Sequence, residues 1–242
     1  VLITLGIIGV VAAMTLPALI NKTNNKDIQA QFKKTYSELN QLAQLFLKDN
    51  EISVTDYVEM NSTSLFVKNE LQKYYKGVQL IDDTTFGSTD EEGNKKSSLY
   101  PVYSLNGTRL RMGPCDDLGF RTESGGRVFS FVGDKVQPGQ QGPVVCADVN
   151  GHKGPNKYGY DIFLFRFTRT GFVLPMGQEA SPDEVEYGSG GDATSSNFFF
   201  KDKCKSASSV SLQFSCAYYA LADRHPTEPG KNYWQDFLGT SR

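Results

Sequence analysis

The sequence predicts an α+β fold, a long amino-terminal helix packed on an antiparallel β-sheet head with loop decorations. Three observations carry that prediction. Residues 1–21 hold no charge, and residues 26–50 keep an apolar stripe at helical spacing. The rest of the 242-residue chain alternates strand-forming runs with turns, and it is rich in glycine (23), tyrosine (12) and phenylalanine (16). This length is long for one domain and short for two, which fits a single globular head with an extension. Hydrophobic residues at 39% and charged residues at 21% exclude disordered and collagen-like chains. A net charge of −2 argues against a nucleic-acid partner, which calls for a basic excess.

The first element runs from Leu2 to Ile20 without a charge, and Lys22 is the first charged residue. As a helix, about twenty such residues span roughly 30 Å, the thickness of a bilayer's hydrocarbon core. A cleaved secretory signal would show a basic segment before this run and a small-residue cleavage site after it, and neither is visible. A buried core helix is rarely apolar all round, so a membrane helix fits best. From Lys26 to Asn50 the pattern turns amphipathic, with Ile28, Phe32, Tyr36, Leu39, Leu42, Ala43 and Phe46 on one face and Lys33, Lys34, Glu38 and Lys48 off it. The polar joint Asn21–Asn25 has no Gly or Pro, so both halves read as one helix of roughly fifty residues, on the order of 75 Å long. Pro17 removes one backbone donor and is expected to kink or loosen it. The chain thus divides into residues 1–25, the hydrophobic half of the helix, and 26–242, the head with the amphipathic half.

In the head, Ser64–Lys76 reads as a short second helix and Asp82–Ser98 as a polar loop. Strands are expected at Tyr100–Leu105, Thr108–Met112, Arg127–Val132 and Val144–Val149, with Asn106-Gly107 turning the first pair into a hairpin. Asp161–Phe167 and Gly171–Leu174 form a second expected hairpin, followed by a Gly/Ser/acid-rich loop over Pro175–Ser196. Trp234, beside Tyr233 and Phe237, marks a tail that packs back onto the head.

The run Val1-Leu2-Ile3-Thr4-Leu5-Gly6-Ile7-Ile8-Gly9-Val10-Val11-Ala12-Ala13-Met14-Thr15-Leu16-Pro17-Ala18 resembles the amino-terminal segment of type IV pilins and type II secretion pseudopilins. That family's mature chains start with a methylated Phe, three residues and a Glu, and their apolar run closes on Ala-x-x-x-Pro-Ala. Ala13-Met14-Thr15-Leu16-Pro17-Ala18 fits this ending. The match covers about the first 25 residues and places Val1 directly after the family's Glu. It implies a pilin-like fold and helical self-assembly, with Val1, Leu2, Ile3, Leu5, Gly6, Ile7, Ile8, Gly9, Val10, Ala12, Ala13, Leu16, Pro17 and Ile20 buried in a filament core. The partners it implies are further copies of the chain, a bacterial inner membrane before assembly, a prepilin peptidase, and pilus or secretion machinery. The product would be an extracellular filament. The residues agree independently: Gly9 and Ala13 stand four apart, the spacing that lets helices approach closely. A minor pseudopilin and a membrane-anchored binding domain or adhesin are the alternatives.

Four cysteines, Cys115, Cys146, Cys204 and Cys216, suggest two disulfides in an exported head. Of the three pairings, Cys115–Cys146 with Cys204–Cys216 keeps each bridge within one contiguous region; a disulfide-closed carboxy-terminal loop is also frequent in pilin-like proteins. Four reduced core thiols are the alternative.

No enzyme is expected, because nucleophile-elbow, phosphate-loop, zinc-protease and dinucleotide motifs are all missing. His152 and His225 read as exposed loop residues. N-x-S/T sequons begin at Asn21, Asn61 and Asn106.

One loop has the makings of a metal site. Asp148, Asn150, Asn156 and Asp161 are oxygen donors in a Gly-rich stretch between two strands, and Ca²⁺ takes six to eight such ligands. The loop departs from an EF-hand, with two carboxylates and no Glu at its twelfth position, so binding would be weak. Secretion pseudopilins often hold Ca²⁺ in a loop of the head, and the resemblance implies the same here. The structural alternative has Asn150-Gly151 making a turn, Asp148 and Asn156 bonding loop amides, and Asp161 capping the next strand.

Overall fold

The computed structural model describes residues 2–81, 101–110, 118–122, 126–132, 142–178 and 204–240; over 2–22 the description is of the backbone, Ala13 excepted. Helix α1, Leu2–Asn50, is a single helix of 49 residues that continues through Pro17. It ends where Glu51 turns left-handed (φ 60°) and its amide donates to Leu47 O at 2.9 Å. From residue 25 onward one face is buried at steps of three and four: Asn25, Ile28, Phe32, Thr35, Leu39, Leu42 and Phe46. The predicted apolar stripe is therefore the packed face, with Tyr36 half-buried on its flank. Among the described residues no helix is long and apolar enough to cross a membrane. The side chains of the expected membrane run and filament core, Val1–Ile20, lie outside the described residues apart from Ala13, which is exposed.

Helix α2, Val54–Met60, starts at Ser53, whose Oγ accepts the Asp56 amide at 3.0 Å. Ser62 caps α3, Thr63–Leu65, in the same way. A π-helical turn, Phe66–Glu70, then leads into α4, Leu71–Tyr74. The expected helix at Ser64–Lys76 is thus present with a π-helical insertion, while α2 is an additional element.

Six strands form one antiparallel sheet in sequence order: β1 Val78–Ile81, β2 Gly119–Thr122, β3 Val128–Val132, β4 Val144–Asp148, β5 Ile162–Phe167 and β6 Val173–Pro175. Strands β3–β6 fall on predicted runs, although β6 extends through Pro175, where a loop was expected. The expected strand pair at Tyr100–Leu105 and Thr108–Met112 is corrected. Its Asn106-Gly107 turn forms and the hairpin closes through Ser104 N to Thr108 O (2.9 Å) and Leu110 N to Val102 O (3.0 Å), but among the described residues this amounts to a bridge between Tyr103 and Arg109 and not to two strands. The Tyr103 amide donates to Asn156 O (2.9 Å) and its carbonyl accepts from Tyr158 N (3.0 Å), so the other edge of this short hairpin bridges to a neighbouring loop as well. The predicted loop at 82–98 and most of that at 175–196 lie outside the described residues.

Register sorts the sheet into two faces. Phe129, Ala147 and Phe163 stand in one row and Phe131, Val145 and Phe165 in the next, both on the α1 side. Phe32 of α1 lies 4.6 Å from Phe163 and 5.7 Å from Trp234, ring centre to ring centre. Phe66 joins Phe46 (5.4 Å) to Phe131 (6.3 Å), carrying the aromatic seam from the helix to the sheet. The far face holds Val128, Val144, Cys146, Ile162 and Leu164 in a second apolar cluster. Every residue of β4 and β5 is buried, so the sheet is covered on both sides. Near the carboxy terminus, α5 (Cys216–Ala222) and a π-helical turn (Tyr233–Phe237) leading into α6 (Leu238–Thr240) close the α1 side. Trp234 is buried and donates from Nε1 to Ala220 O at 2.9 Å, as expected of a tail folded onto the head.

Candidate functional site

The loop from β4 to β5 gathers four buried polar residues, Asp148, Asn150, Asn156 and Asp161. Asp148 ends β4 and is fully buried; its Oδ1 accepts the amides of Asn150 (3.1 Å) and Gly151 (2.8 Å). Asp161, also fully buried, accepts the Asn156 amide at 2.9 Å on Oδ2 and the Lys157 amide on Oδ1. Asn150 donates through Nδ2 to Gly154 O (2.8 Å) and hydrogen-bonds the Asp161 carboxylate. Four short-chain polar residues therefore replace a regular strand connection: Asp148 and Asp161 accept backbone amides, while Asn150 and Asn156 donate through Nδ2 to the carbonyls of Gly154 and Pro101. The structure brings all four predicted oxygen donors into this one loop.

Burial pushes the Asp161 carboxyl up to about 6, against the opposing hydrogen bonds from Lys157, Asn156 and Asn150. Asn150 Oδ1 and Asn156 Oδ1 are buried acceptors without a hydrogen-bond partner among the described residues. Carboxylate and amide oxygens are the donors that Ca²⁺ selects, so the chemistry of the set fits a hard cation. Its size falls short: among the described residues no three acidic, His or Cys side chains gather in one place, so backbone carbonyls or water would complete the shell. The amide contacts of Asp148 and Asp161 are also those that a purely structural loop requires.

The same loop grips α1. Tyr160 donates to Asn25 Oδ1 (2.8 Å), and Asn25 Nδ2 donates to Trp234 O (2.7 Å). Asn25 is buried where the helix enters the head, and it ties α1 to both the loop and the carboxy-terminal turn. Sequence reasoning missed it because Asn25 is polar. Its signal was position, three residues before Ile28 on the buried stripe. A cleft of about 280 Å³ opens beside this joint between Asp27 and Gln31 on α1 and Lys153 and Pro155 on the loop.

Cys204 and Cys216 are disulfide-bonded, with Cα atoms 4.7 Å apart, which matches the favoured pairing. Cys146 is disulfide-bonded too, while Cys115 lies outside the described residues. Free thiols are excluded among the described cysteines. The expectation for His225 is corrected: its side chain is 6% exposed, and its ring stands edge-on to Phe237 at 5.2 Å. Its Nδ1 accepts the amides of Thr227 and Glu228, so it acts as a turn brace. The His152 side chain lies outside the described residues.

No known protein family, no curated protein and no solved structure matches this chain.

Proposed function

We propose that the chain is the structural subunit of a type IV pilus-like filament, which polymerises through the charge-free half of α1 and displays the head outside. The observation that carries this reading is the continuity of α1. One helix of 49 residues joins an uncharged run to an amphipathic run packed on an antiparallel sheet. An uncharged helical surface calls for an apolar partner, and among the described residues the face that α1 packs on the head begins at Asn25. Lipid before assembly and other copies of the chain afterwards supply one, and non-closing head-to-tail contacts between identical copies give an open filament. Disulfides in the head fit a destination outside the cytoplasm.

Negative-stain microscopy of material sheared from cells that express the full-length gene tests the reading. Thin filaments that bind an antibody to the head are expected. Head antigen confined to the membrane fraction, with no filaments under any expression level, would leave an anchored binding domain. A few copies at the tip of another filament would make it a minor pseudopilin.

A further inference from the structure

Of the three N-x-S/T sequons, one alone meets the geometric needs of an acceptor among the described residues. Asn106 and Thr108 are both exposed, at the turn where the backbone reverses through Gly107 (φ +87°). Asn106 Oδ1 accepts the Thr108 amide at 3.1 Å and the Ser104 hydroxyl at 2.7 Å. An amide N–H can only donate, so the side-chain oxygen must face it and Nδ2 must face away. Neither Asn106 Nδ2 nor the Thr108 hydroxyl has a hydrogen-bond partner among the described residues. The two bonds to Oδ1 draw electron density towards oxygen and make the Nδ2 protons easier to lose. The other sequons lack this arrangement. Asn61 spends Nδ2 on Tyr57 O (2.9 Å), and its Thr63 is buried in a helical turn. Asn21 and Thr23 sit within the continuous helix α1.

We infer that Asn106 is an N-glycosylation site, the acceptor for a sugar delivered by a glycosyl diphosphate donor. In the transfer, Asn106 Nδ2 bonds to the anomeric carbon of the sugar. The bond from that carbon to the diphosphate oxygen breaks, and the diphosphate leaves with the bonding electrons. One Nδ2 proton passes to a base of the glycosyltransferase, so the side chain keeps a single N–H. The hydroxyl of Thr108, two residues on, is the group such an enzyme reads. A glycan here stands in solvent on a turn tip and displaces no packed side chain.

The test is mass spectrometry of the Asn106 peptide from protein isolated from the cells that make it. A sugar mass on Asn106 is expected, abolished in Asn106→Gln and in Thr108→Ala, retained in Thr108→Ser and indifferent to Asn61→Gln. Thr108→Ala leaves the backbone N–H that holds the turn, so its effect reads recognition rather than folding. A single hexose assigns a nucleotide-linked donor and a larger oligosaccharide a lipid-linked one. Treating unmodified folded protein with a sequon-reading transferase and its lipid-linked donor is the second arm, expected to modify Asn106 ahead of Asn61. A bare Asn106 in the native protein, sugar surviving in Thr108→Ala, or Asn61 modified first would each overturn the inference.

Discussion

A β-carbon built on Gly119 would lie 2.2 Å from the carbonyl oxygen of Phe129 on the neighbouring strand, and 3.1 Å from the Ser130 Cα. Both are backbone atoms held by the β2–β3 ladder, so neither can swing aside. Gly119→Ala should lower the urea midpoint, at a cost of about 1–3 kcal/mol. Gly239→Ala is the matched control, because the same carbon there meets nothing within 4 Å. Equal midpoints for both variants would mean that β2 and β3 do not approach as described. In the β4–β5 loop, the calcium expectation makes a different measurable demand. A cation held by Asp148, Asn150, Asn156 and Asp161 binds the folded chain alone and must raise the melting midpoint of the purified protein in millimolar Ca²⁺ over excess chelator. Asp148→Asn, which keeps the side chain's shape and removes its charge, should abolish that difference. The same midpoint in both buffers for the unaltered protein would leave the loop a purely structural brace. The sequence showed which residues supply oxygen, since the spacing of Asp, Asn and Gly is local. It could not show that Asn150 Oδ1 and Asn156 Oδ1 lack hydrogen-bond partners among the described residues, because that depends on which backbone groups the folded loop brings near.

At the scale of elements, Glu38 latches α1 to the sheet. Arg127, just before β3, makes a two-pronged ion pair with its carboxylate, and Tyr75, just after α4, donates its hydroxyl to the same group. Burial alone would raise the Glu38 carboxyl; the hydrogen bonds from Arg127 and Tyr75, with the charges of Arg127 and Lys34, outweigh it and hold it below its usual 4.5. A carboxyl depressed in the folded state binds its proton less readily there than in the unfolded chain. The latch therefore contributes in full above pH 4.5 and is lost as pH falls through the lower folded value. Glu38→Gln should lower the urea midpoint at pH 7 and flatten its decline below pH 4.5; an unchanged acid limb would remove Glu38 from the account. The elements themselves were unequally legible. α1 repeats its apolar step from Ile28 to Phe46, about five turns, and β3–β5 are buried, β-branched and aromatic, so period and composition agree. Strands β1 and β2 span four residues each, too few for a period, and Leu80 of β1 is 40% exposed. The stretch around Tyr103 looked like a strand because its side chains are right for one. Its hairpin closes as a single bridge among the described residues, and its other edge meets Asn156 and Tyr158 through tertiary contact.

For the whole molecule, the filament reading makes separate demands on the two halves of α1. The half from Asn25 to Phe46 is spent on the head, where it packs against Phe163, Phe165 and Trp234 and is pinned by Tyr160. Damage there should unfold the head. The half from Leu2 to Ile20 carries no charge and should be dispensable for the head yet essential for assembly. Ala13 separates the two cases, being exposed on the isolated chain and four residues from Gly9 on the face through which helices would approach. Ala13→Asp places a carboxylate within residues 1–21, which carry no charge to pair with it. A buried unpaired charge costs several kcal/mol, and helical symmetry repeats that cost in every subunit. Filaments should disappear, while the Cys204–Cys216 disulfide and the urea midpoint of the head stay as they were. Ala13→Ser, small and able to hydrogen-bond within its own helix, should still assemble. Normal filaments from Ala13→Asp would show that this half of α1 is not the core. A lost disulfide or lowered midpoint in the same variant would place Ala13 in contact with the head instead, and the division of labour along α1 would be wrong.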